Sequence, residues 1–212
     1  MPIVIYAVGS PIVVDVEESC KRRRLEVAAA VKNVEGPCFV SADVPVVNAD
    51  DVSADIKRIE FLIPLFTPAN RQSALEDARS RGFSRAATLL DPTAVIASST
   101  SVGAGTYVNS GVVIGGAGRV GDFVFINRSA SIGHHVEIDA FASVGPGAVI
   151  GGNVRLGRGA MVGAGAVILP KLEIGANSVI GAGAVVTKPV PAHCVAVGNP
   201  ARVTRTGIPG LR

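Results

Sequence analysis

The sequence is short of aromatic residues. Of its 212 residues only 4% are Phe, Trp or Tyr, and tryptophan is absent, although 48% are hydrophobic. The net charge is only +3, which suits an anionic cofactor or substrate as well as it suits nucleic acid. Because no basic stripe is interleaved with aromatic residues, nothing favours a nucleic-acid-binding protein, and we expect no nucleic-acid partner.

Cysteines and long apolar runs are scarce as well. Cys20, Cys38 and Cys194 have neither disulfide nor metal-ligand spacing, so we expect buried, unreactive thiols in a reducing cytosol. No apolar run is long enough to cross a membrane. The apolar N-terminus lacks a basic region and a cleavage site, so we expect a cytoplasmic protein without a secretion signal or membrane insertion.

The sequence instead has a strict period of six. Aliphatic residues occupy every sixth position from residue 96 to residue 186, without insertion. These positions are Ile96, Val102, Val108, Ile114, Val120, Ile126, Ile132, Ile138, Val144, Ile150, Leu156, Val162, Ile168, Ile174, Ile180 and Val186. The residue after each is usually Gly, Asn or Asp, and the residue two places before is usually small or aliphatic. Neither a helix nor a single strand has this period, whereas a short strand followed by a turn explains it.

Each six-residue unit predicts one side of a triangular coil. The aliphatic residue points to the axis, and the Gly, Asn or Asp after it takes the corner, where positive φ is easily adopted. Three units close a coil, so residues eighteen apart stack about 4.8 Å apart as parallel strands. The pattern resembles the hexapeptide-repeat proteins, and the left hand of the predicted β-helix comes from that resemblance.

Residues 1–90 predict a small α/β, Rossmann-like domain. We expect strands at 2–8, 39–40, 44–47, 59–65 and 86–90, and helices over 17–34 and 69–81, the second beginning at Thr67-Pro68. Residues 12–16 either extend the sheet or begin a helix. Strands alternating with helices favour a mostly parallel sheet. The predicted parts are therefore residues 1–90, a small α/β domain, residues 91–190, a β-helix domain, and residues 191–212, a closing segment.

This order of parts resembles the bacterial sugar acyltransferases of the sialic acid O-acetyltransferase and bacillosamine N-acetyltransferase type. The likeness is carried by the coils, by VPVVNADDV (residues 44–52) and by RSRGFSRAATLLDPTAVI (residues 79–96). It implies acetyl-CoA as co-substrate, a sugar or nucleotide-linked amino sugar as acceptor, and a homotrimer with active sites between neighbouring subunits. In the family, a loop G-x-G-G-H after the first strand contacts the nucleotide. Here that loop keeps Gly9, followed by Ser10 and Pro11, and proline removes one N–H donor; Gly9 and Ser10 are the expected substrate contacts.

Two of the three histidines, His134 and His135, are adjacent. The register places His134 two residues after axial Ile132, away from the axis. The resemblance makes His134 the general base, which takes a proton from the acceptor amine or hydroxyl as that group attacks the thioester. A surface or subunit-contact histidine is the alternative. The family often has Glu at the next position, so we expect His135 to contact the acceptor and Glu137 or Asp139 to orient the base.

Further site residues follow from the repeat and the resemblance. Eighteen residues after His134 stands Gly152, whose backbone N–H the family uses to hold the thioester oxygen. Asn127 matches an active-site Asn, with a corner residue as the alternative. Ser143 falls where relatives have a second His and is an expected substrate or cofactor contact. His193, beyond the coils, is read as structural.

Two columns of small residues leave room for the pantetheine arm of CoA along the coils: Gly145, Gly163 and Gly181, and Ala164 and Ala182. Ordinary corner glycines are the alternative reading. GNPAR (residues 198–202) resembles the segment that closes the helix and contacts the adenosine end of CoA. Lys188, Arg202 and Arg205 are candidates for its phosphates.

Two other functions compete with acyl transfer. A γ-type carbonic anhydrase needs three well-separated His ligands for zinc, whereas His134 and His135 are adjacent and His193 lies outside the coils, so we expect no metal. A catalytically weak or inactive β-helix that serves assembly or binding is the second. The histidine pair and the reduced glycine loop favour it, and GNPAR argues against it.

Overall fold

The computed structural model describes residues 2–211, which form a small α/β domain and a stack of triangular coils. The α/β domain has four parallel strands in the order β3-β2-β1-β4. Its elements are β1 (Pro2–Tyr6), α1 (Val13–Arg22), β2 (Glu26–Lys32), β3 (Val46–Asn48), a 3-10 turn (Ala49–Asp51), α2 (Ala54–Arg58), β4 (Glu60–Leu62) and α3 (Pro68–Ser80). The chain runs outward from β1 to β3 and then crosses to the other side of β1. The carboxyl ends of β1 and β4 therefore flank a crevice of the kind that binds ligands in open parallel sheets.

The helix predicted over residues 17–34 is wrong. Its first part belongs to α1, which begins at residue 13, and the chain reverses at Arg24, whose φ is 55°. Residues 26–32 then form β2, whose small side chains are buried between β1 and β3. A strand covered on both faces reads as an apolar run without alternation, which is why it resembles part of a helix. The strand predicted at residues 39–40 is also wrong, whereas the predicted Pro68 start of α3 is confirmed.

The coils are built from two-residue strands on three sheets. The first sheet holds Leu89–Leu90, Tyr107–Val108, Phe125–Ile126, Ser143–Val144, Met161–Val162 and Val179–Ile180. The second holds Val95–Ile96, Val113–Ile114, Ser131–Ile132, Val149–Ile150, Val167–Ile168 and Val185–Val186. The third holds Ser101–Val102, Arg119–Val120, Glu137–Ile138, Arg155–Leu156 and Glu173–Ile174. Residues eighteen apart pair in parallel, as in Ser131 with Val149, so the predicted stacking is confirmed.

The corner conformation falls two residues later than predicted. Positive φ, between 52° and 72°, recurs at every sixth residue from Gly105 to Gly183, three places after each axial residue. The glycines directly after the axial residues meet a different need. A Cβ added to Gly133, Gly145 or Gly163 would lie 2.5–2.6 Å from a backbone nitrogen of the next coil. Glycine is required there by close approach of the backbone, not by φ.

The three outer faces of the coils differ in chemistry. The first sheet presents an aromatic face, in which Tyr107 and Phe125 are buried under the α/β domain. The second presents a valine face, in which Val95, Val113 and Val149 are 63%, 47% and 44% exposed. The third presents a charged face, a ladder of Arg119, Glu137, Arg155 and Glu173. Of the three coil faces, as residues 2–211 form them, the valine face alone offers an apolar surface without cover from this chain.

Two buried polar clusters attach the α/β domain to the aromatic face. Arg71 on α3 is fully buried, and its guanidinium donates to the carbonyls of Leu65, Phe66, Phe123, Phe141 and Ala142 and to the hydroxyl of Ser143.. Asp91, at the start of the coils, accepts hydrogen bonds from Ser19 and Arg22 on α1 and from Thr93. The two domains are thus joined by directional bonds as well as by apolar contact.

The C-terminal segment closes the last coil. Strand Cys194–Gly198 pairs with Val179–Ile180 and forms an antiparallel hairpin with Ala201–Thr206. The His193 ring lies 2.9 Å from the Ile208 carbonyl, in keeping with a structural role. The expectation of three buried thiols is wrong for Cys38, which is exposed in the loop after β2, whereas Cys20 and Cys194 are buried. Within residues 2–211, no helix has the length and apolar character needed to cross a membrane.

Candidate active site

His134 and His135 lie at the corner between the valine face and the charged face. Both side chains are exposed, and their rings meet edge to face at 87° with centroids 5.2 Å apart. The two Nδ1 atoms are 3.0 Å apart, which is hydrogen-bonding distance. Because Nδ1 of His134 is engaged with its neighbour, Nε2 is the ring nitrogen left to act on another molecule.

Gly152 lies directly against the His134 ring, as the eighteen-residue spacing predicts. A Cβ built on Gly152 would be 2.8 Å from both Nε2 and Cε1 of His134, so no other residue fits there without moving the ring. The N–H of Gly152 has no acceptor within residues 2–211, while its carbonyl accepts from Lys171. One corner therefore combines an imidazole nitrogen with a free backbone donor on the next coil.

Neither predicted carboxylate orients His134. Glu137 pairs with Arg119 and Arg155 at 3.2 and 3.1 Å, and Asp139 pairs with Arg119 at 3.0 Å. Both side chains belong to the charged face because strand alternation turns them away from the corner. The partner of the His134 ring is His135, a role that the sequence did not indicate.

Asn127 and Ser143 do not lie with His134 in this chain. Asn127 is almost buried at the corner between the aromatic and valine faces, where its Oδ1 accepts from Asn109 and from the N–H of Arg128. Ser143 has no exposed surface, and its hydroxyl donates to the Phe66 carbonyl and accepts from Arg71. Ser143 thus supports the domain junction, which corrects the expectation that it contacts a substrate.

Most of the predicted CoA-binding residues lie across the valine face from His134. Gly145, Gly163 and Gly181 directly follow strands of the first sheet, at the same corner as Asn127, and Ala164 and Ala182 stand next to two of them. Arg202 lies on the C-terminal hairpin that extends the first sheet, whereas Lys188 comes two residues after axial Val186 of the second sheet and so stands in the corner column of His134 and Gly152. Ala164, Ala182, Lys188 and Arg202 are exposed, whereas Gly145 and Gly163 are buried by the next coil. In one chain, the glycine and alanine columns are separated from His134 by the width of the valine face.

A cavity of about 650 Å³ opens in the crevice at the carboxyl ends of β1 and β4. Its lining comprises Ala7, Gly9, Ser10, Pro11, Asn33, Val34, Leu65, Phe66, Thr67, Asn70, Ser73, Ala74 and Asp77. The expected substrate contacts Gly9 and Ser10 therefore belong to a pocket. Its polar lining is dominated by amides, hydroxyls and one carboxylate, groups that hydrogen-bond to sugar or nucleoside atoms.

Asp77 is the acidic group of this pocket. It accepts hydrogen bonds from the Tyr6 hydroxyl, the Asn33 amide and Arg81 Nε at 2.6, 3.2 and 2.8 Å. Burial alone would raise the pKa of Asp77, but these hydrogen bonds outweigh it and lower the pKa. The sequence analysis missed Asp77, although the spacing of Asn70, Ser73 and Asp77 places them on one face of a helix.

The pocket and the histidine pair lie on opposite sides of the coils. The α/β domain packs on the aromatic face, and His134 stands at the corner opposite that face. A single chain therefore does not bring its own pocket to its own His134. Within residues 2–211, no group of three or more His, Cys, Asp or Glu side chains is arranged to hold a metal ion.

The repeat is also recognised by comparison with known proteins. The family model for the bacterial transferase hexapeptide (six repeats) matches residues 153–188. No curated protein matches the chain significantly. Among solved structures, a histidine-to-alanine variant of the GDP-perosamine N-acetyltransferase from Caulobacter crescentus, in complex with CoA and GDP-perosamine, is 30% identical. The match covers 96% of each chain with a TM-score of 0.86.

A second neighbour is the acetyltransferase domain of PglB from Neisseria gonorrhoeae, in complex with acetyl-CoA. It is 25% identical, and the match covers 95% of this chain and 98% of the other with a TM-score of 0.82. WeeI from Acinetobacter baumannii, at 23% identity and a TM-score of 0.81 over 96% and 100% of the two chains, shows the same fold. With the repeat, the α/β domain and these matches together, the chain belongs to the hexapeptide-repeat sugar acetyltransferases, whose small α/β domain precedes a left-handed parallel β-helix.

Proposed function

We propose that this chain transfers an acetyl group from acetyl-CoA to an amine or hydroxyl of a sugar or a nucleotide-linked amino sugar. One related structure is a complex with CoA and GDP-perosamine, and another is a complex with acetyl-CoA. Each matches nearly the whole of this chain. The observation that carries the proposal is the contact of the His134 ring with Gly152. This contact supports the assignment of His134 as the general base and of the Gly152 N–H as the oxyanion donor.

The chemistry needs only these two groups and the reactants. Nε2 of His134 removes a proton from the acceptor as its nitrogen or oxygen attacks the thioester carbonyl carbon. The N–H of Gly152 hydrogen-bonds to the carbonyl oxygen, which becomes negative in the tetrahedral intermediate. Collapse breaks the C–S bond, and the CoA thiolate takes the proton from His134. The products are the acetylated acceptor and CoA thiol.

We further propose that the active protein is a homotrimer. The acceptor pocket and His134 lie on opposite sides of one chain, so a neighbouring copy must supply the pocket. The exposed valine face lies between the His134 corner and the small-residue columns, and burying it against another copy would stabilise an assembly by about 25 cal/mol per Å². CoA then lies between copies, with Asn127 and Arg202 on one side and His134, with Lys188 in its corner column, on the other.

The assembly is tested by changing the valine face. Val113→Asp combined with Val149→Asp should convert the trimer to monomers in sedimentation equilibrium and abolish activity, because charges would be buried at the interface. Val46→Asp is the matched control, since Val46 is 49% exposed on β3, away from this face. Unchanged sedimentation of the double variant would contradict the trimer.

The reaction is tested by thiol release from acetyl-CoA in the presence of nucleotide-linked amino sugars, free amino sugars and amino acids. With the right acceptor, His134→Ala should lower kcat by about 10²-fold or more. His193→Ala, which changes an exposed histidine outside the site, should leave kcat as it is. If acetyl-CoA does not bind the wild-type trimer in calorimetry, the proposal fails and the assembly function replaces it.

A further inference from the structure

The histidine pair carries information about proton positions. At 3.0 Å, two Nδ1 atoms need one proton between them, because two protons would collide and two lone pairs would repel. Either His134 donates to His135, which leaves Nε2 of His134 with a lone pair, or His135 donates to His134, which puts a proton on that Nε2. Only the first arrangement gives His134 a basic nitrogen over Gly152.

We propose that His135 is a positioning residue that holds His134 in its basic tautomer, with Nδ1 of His135 accepting the Nδ1–H of His134. The inference rests on the proposed function, in which His134 is the base. When His134 receives the acceptor proton on Nε2, the resulting imidazolium keeps its hydrogen bond to His135. The neighbour thereby stabilises the charge without itself bearing one.

The backbone of His135 is held at its corner by a hydrogen bond of its own. His135 occupies the left-handed corner position of its coil, with φ 54°, and its N–H donates to the Gly116 carbonyl at 2.9 Å. Histidine is among the residues that tolerate this conformation, as are Asn and Asp. The position therefore accepts a short series of side chains whose first polar atom stands where Nδ1 of histidine stands.

Within residues 2–211, no carboxylate forms an ion pair with either histidine. On the charged face, Glu137 of the same coil is held by Arg119 and Arg155 of the coils on either side, and Lys171 shares the corner column of His135 two coils further on. A protonated His135 has no lone pair on Nδ1 to offer. His135 must therefore be neutral to hold His134 in its basic tautomer.

The proposal is tested by His135→Ala, His135→Asn and His135→Asp. The Asn oxygen can accept the Nδ1–H of His134, the Asp carboxylate can accept it and add a negative charge, and Ala can do neither. We expect kcat to fall about 10-fold in the Ala variant and to be largely restored by Asn. With Asp, the acid limb of the kcat/KM profile should move to higher pH, because the carboxylate favours protonated His134.

A readout independent of activity is the ¹⁵N NMR spectrum of histidine-labelled protein. The His134 signals, assigned with His134→Ala, should show a protonated Nδ1 and an unprotonated Nε2 in the wild type and the Asn variant, and the opposite tautomer in the Ala variant. His193→Ala is the control, because His193 is also an exposed histidine with positive φ, 59°. A protonated Nε2 in the wild type at neutral pH, or the same tautomer in all variants, would overturn the role of His135. Absence of thiol release in the wild type would instead overturn the proposed function. The spectra alone would then decide whether His135 sets the tautomer of His134.

Discussion

The coils and the α/β domain specify their structures in different ways. In the coils, the position of a residue within a unit of six decides its place, and the core contains aliphatic and small side chains; among residues 2–211, no aromatic side chain lies in that core. In the α/β domain and at its junction with the coils, individual aromatic contacts and polar networks determine the packing, as for Tyr6, Phe61 and Phe83. The few aromatics of this sequence therefore lie in the α/β domain or on the coil surface that the α/β domain covers.

The largest expected effect comes from a glycine that the repeat requires. A Cβ at Gly163 would lie 2.5 Å from the nitrogen of Ala182, within the closely stacked backbones, so Gly163→Ala should lower the free energy of unfolding by about 3 kcal/mol or more. At Gly9 in the α/β domain, a Cβ would approach nothing closer than 3.9 Å, and Gly9→Ala should change stability by less than about 1 kcal/mol. Urea unfolding of both variants checks the contrast, and equal losses would contradict it.

The same contrast explains what the sequence could predict. Stacking by eighteen placed Gly152 against His134 because every coil has the same length. The repeat did not show that the residue with positive φ lies three places after the axial residue, because His135, Phe141 and Lys171 are unusual residues at such a corner. The helix predicted through residues 26–32 failed because burial on two faces hides strand alternation. The pocket depends on Tyr6, Asn33 and Asp77, which only the tertiary fold brings together.

The second effect concerns the junction between the two regions. Burial lowers the pKa of Arg71 to about 9, so its guanidinium is still charged at neutral pH and donates to carbonyls from both domains. Arg71→Met leaves those buried acceptors without a donor and should cost about 3 kcal/mol. Arg79→Met, an exposed change on the same helix, is the control. In calorimetry we expect Arg71→Met to split unfolding into two transitions, and a single unshifted transition would show that Arg71 does not couple the domains.

The third effect is a pH dependence of the stability that the other junction cluster, the one around Asp91, contributes. Burial alone would raise the pKa of Asp91, but hydrogen bonds from Ser19, Thr93 and Arg22 lower it to about 2. Because the folded-state pKa lies below the ordinary value of 3.8, the carboxylate stabilises the fold fully above pH ~5. This contribution of about 2 kcal/mol is lost as the pH falls from about 4 to about 2.

Urea unfolding between pH 6 and pH 3 separates this contribution from others. Asp91→Asn should be less stable than the wild type at pH 6, and the difference should shrink towards pH 3. Asp55→Asn, a change at an exposed carboxylate on α2, should track the wild type at every pH. A difference for Asp91→Asn that does not vary with pH would mean that its hydrogen bonds, and not its charge, matter.

The smallest effect is expected on the charged face, where the ion pairs look as well formed as at the junction. Glu137 lies 3.2 Å from Arg119 and 3.1 Å from Arg155, but all three side chains are between 42% and 60% exposed, whereas the Asp91 side chain is fully buried. Water and salt screen such pairs, so Glu137→Gln should lower the free energy of unfolding by no more than about 0.5 kcal/mol, and 1 M salt should remove the difference. The fold of the coils is set by backbone stacking and aliphatic burial. A loss from Glu137→Gln as large as that from Gly163→Ala would show instead that side-chain pairing between coils, and not the repeat itself, holds them in register.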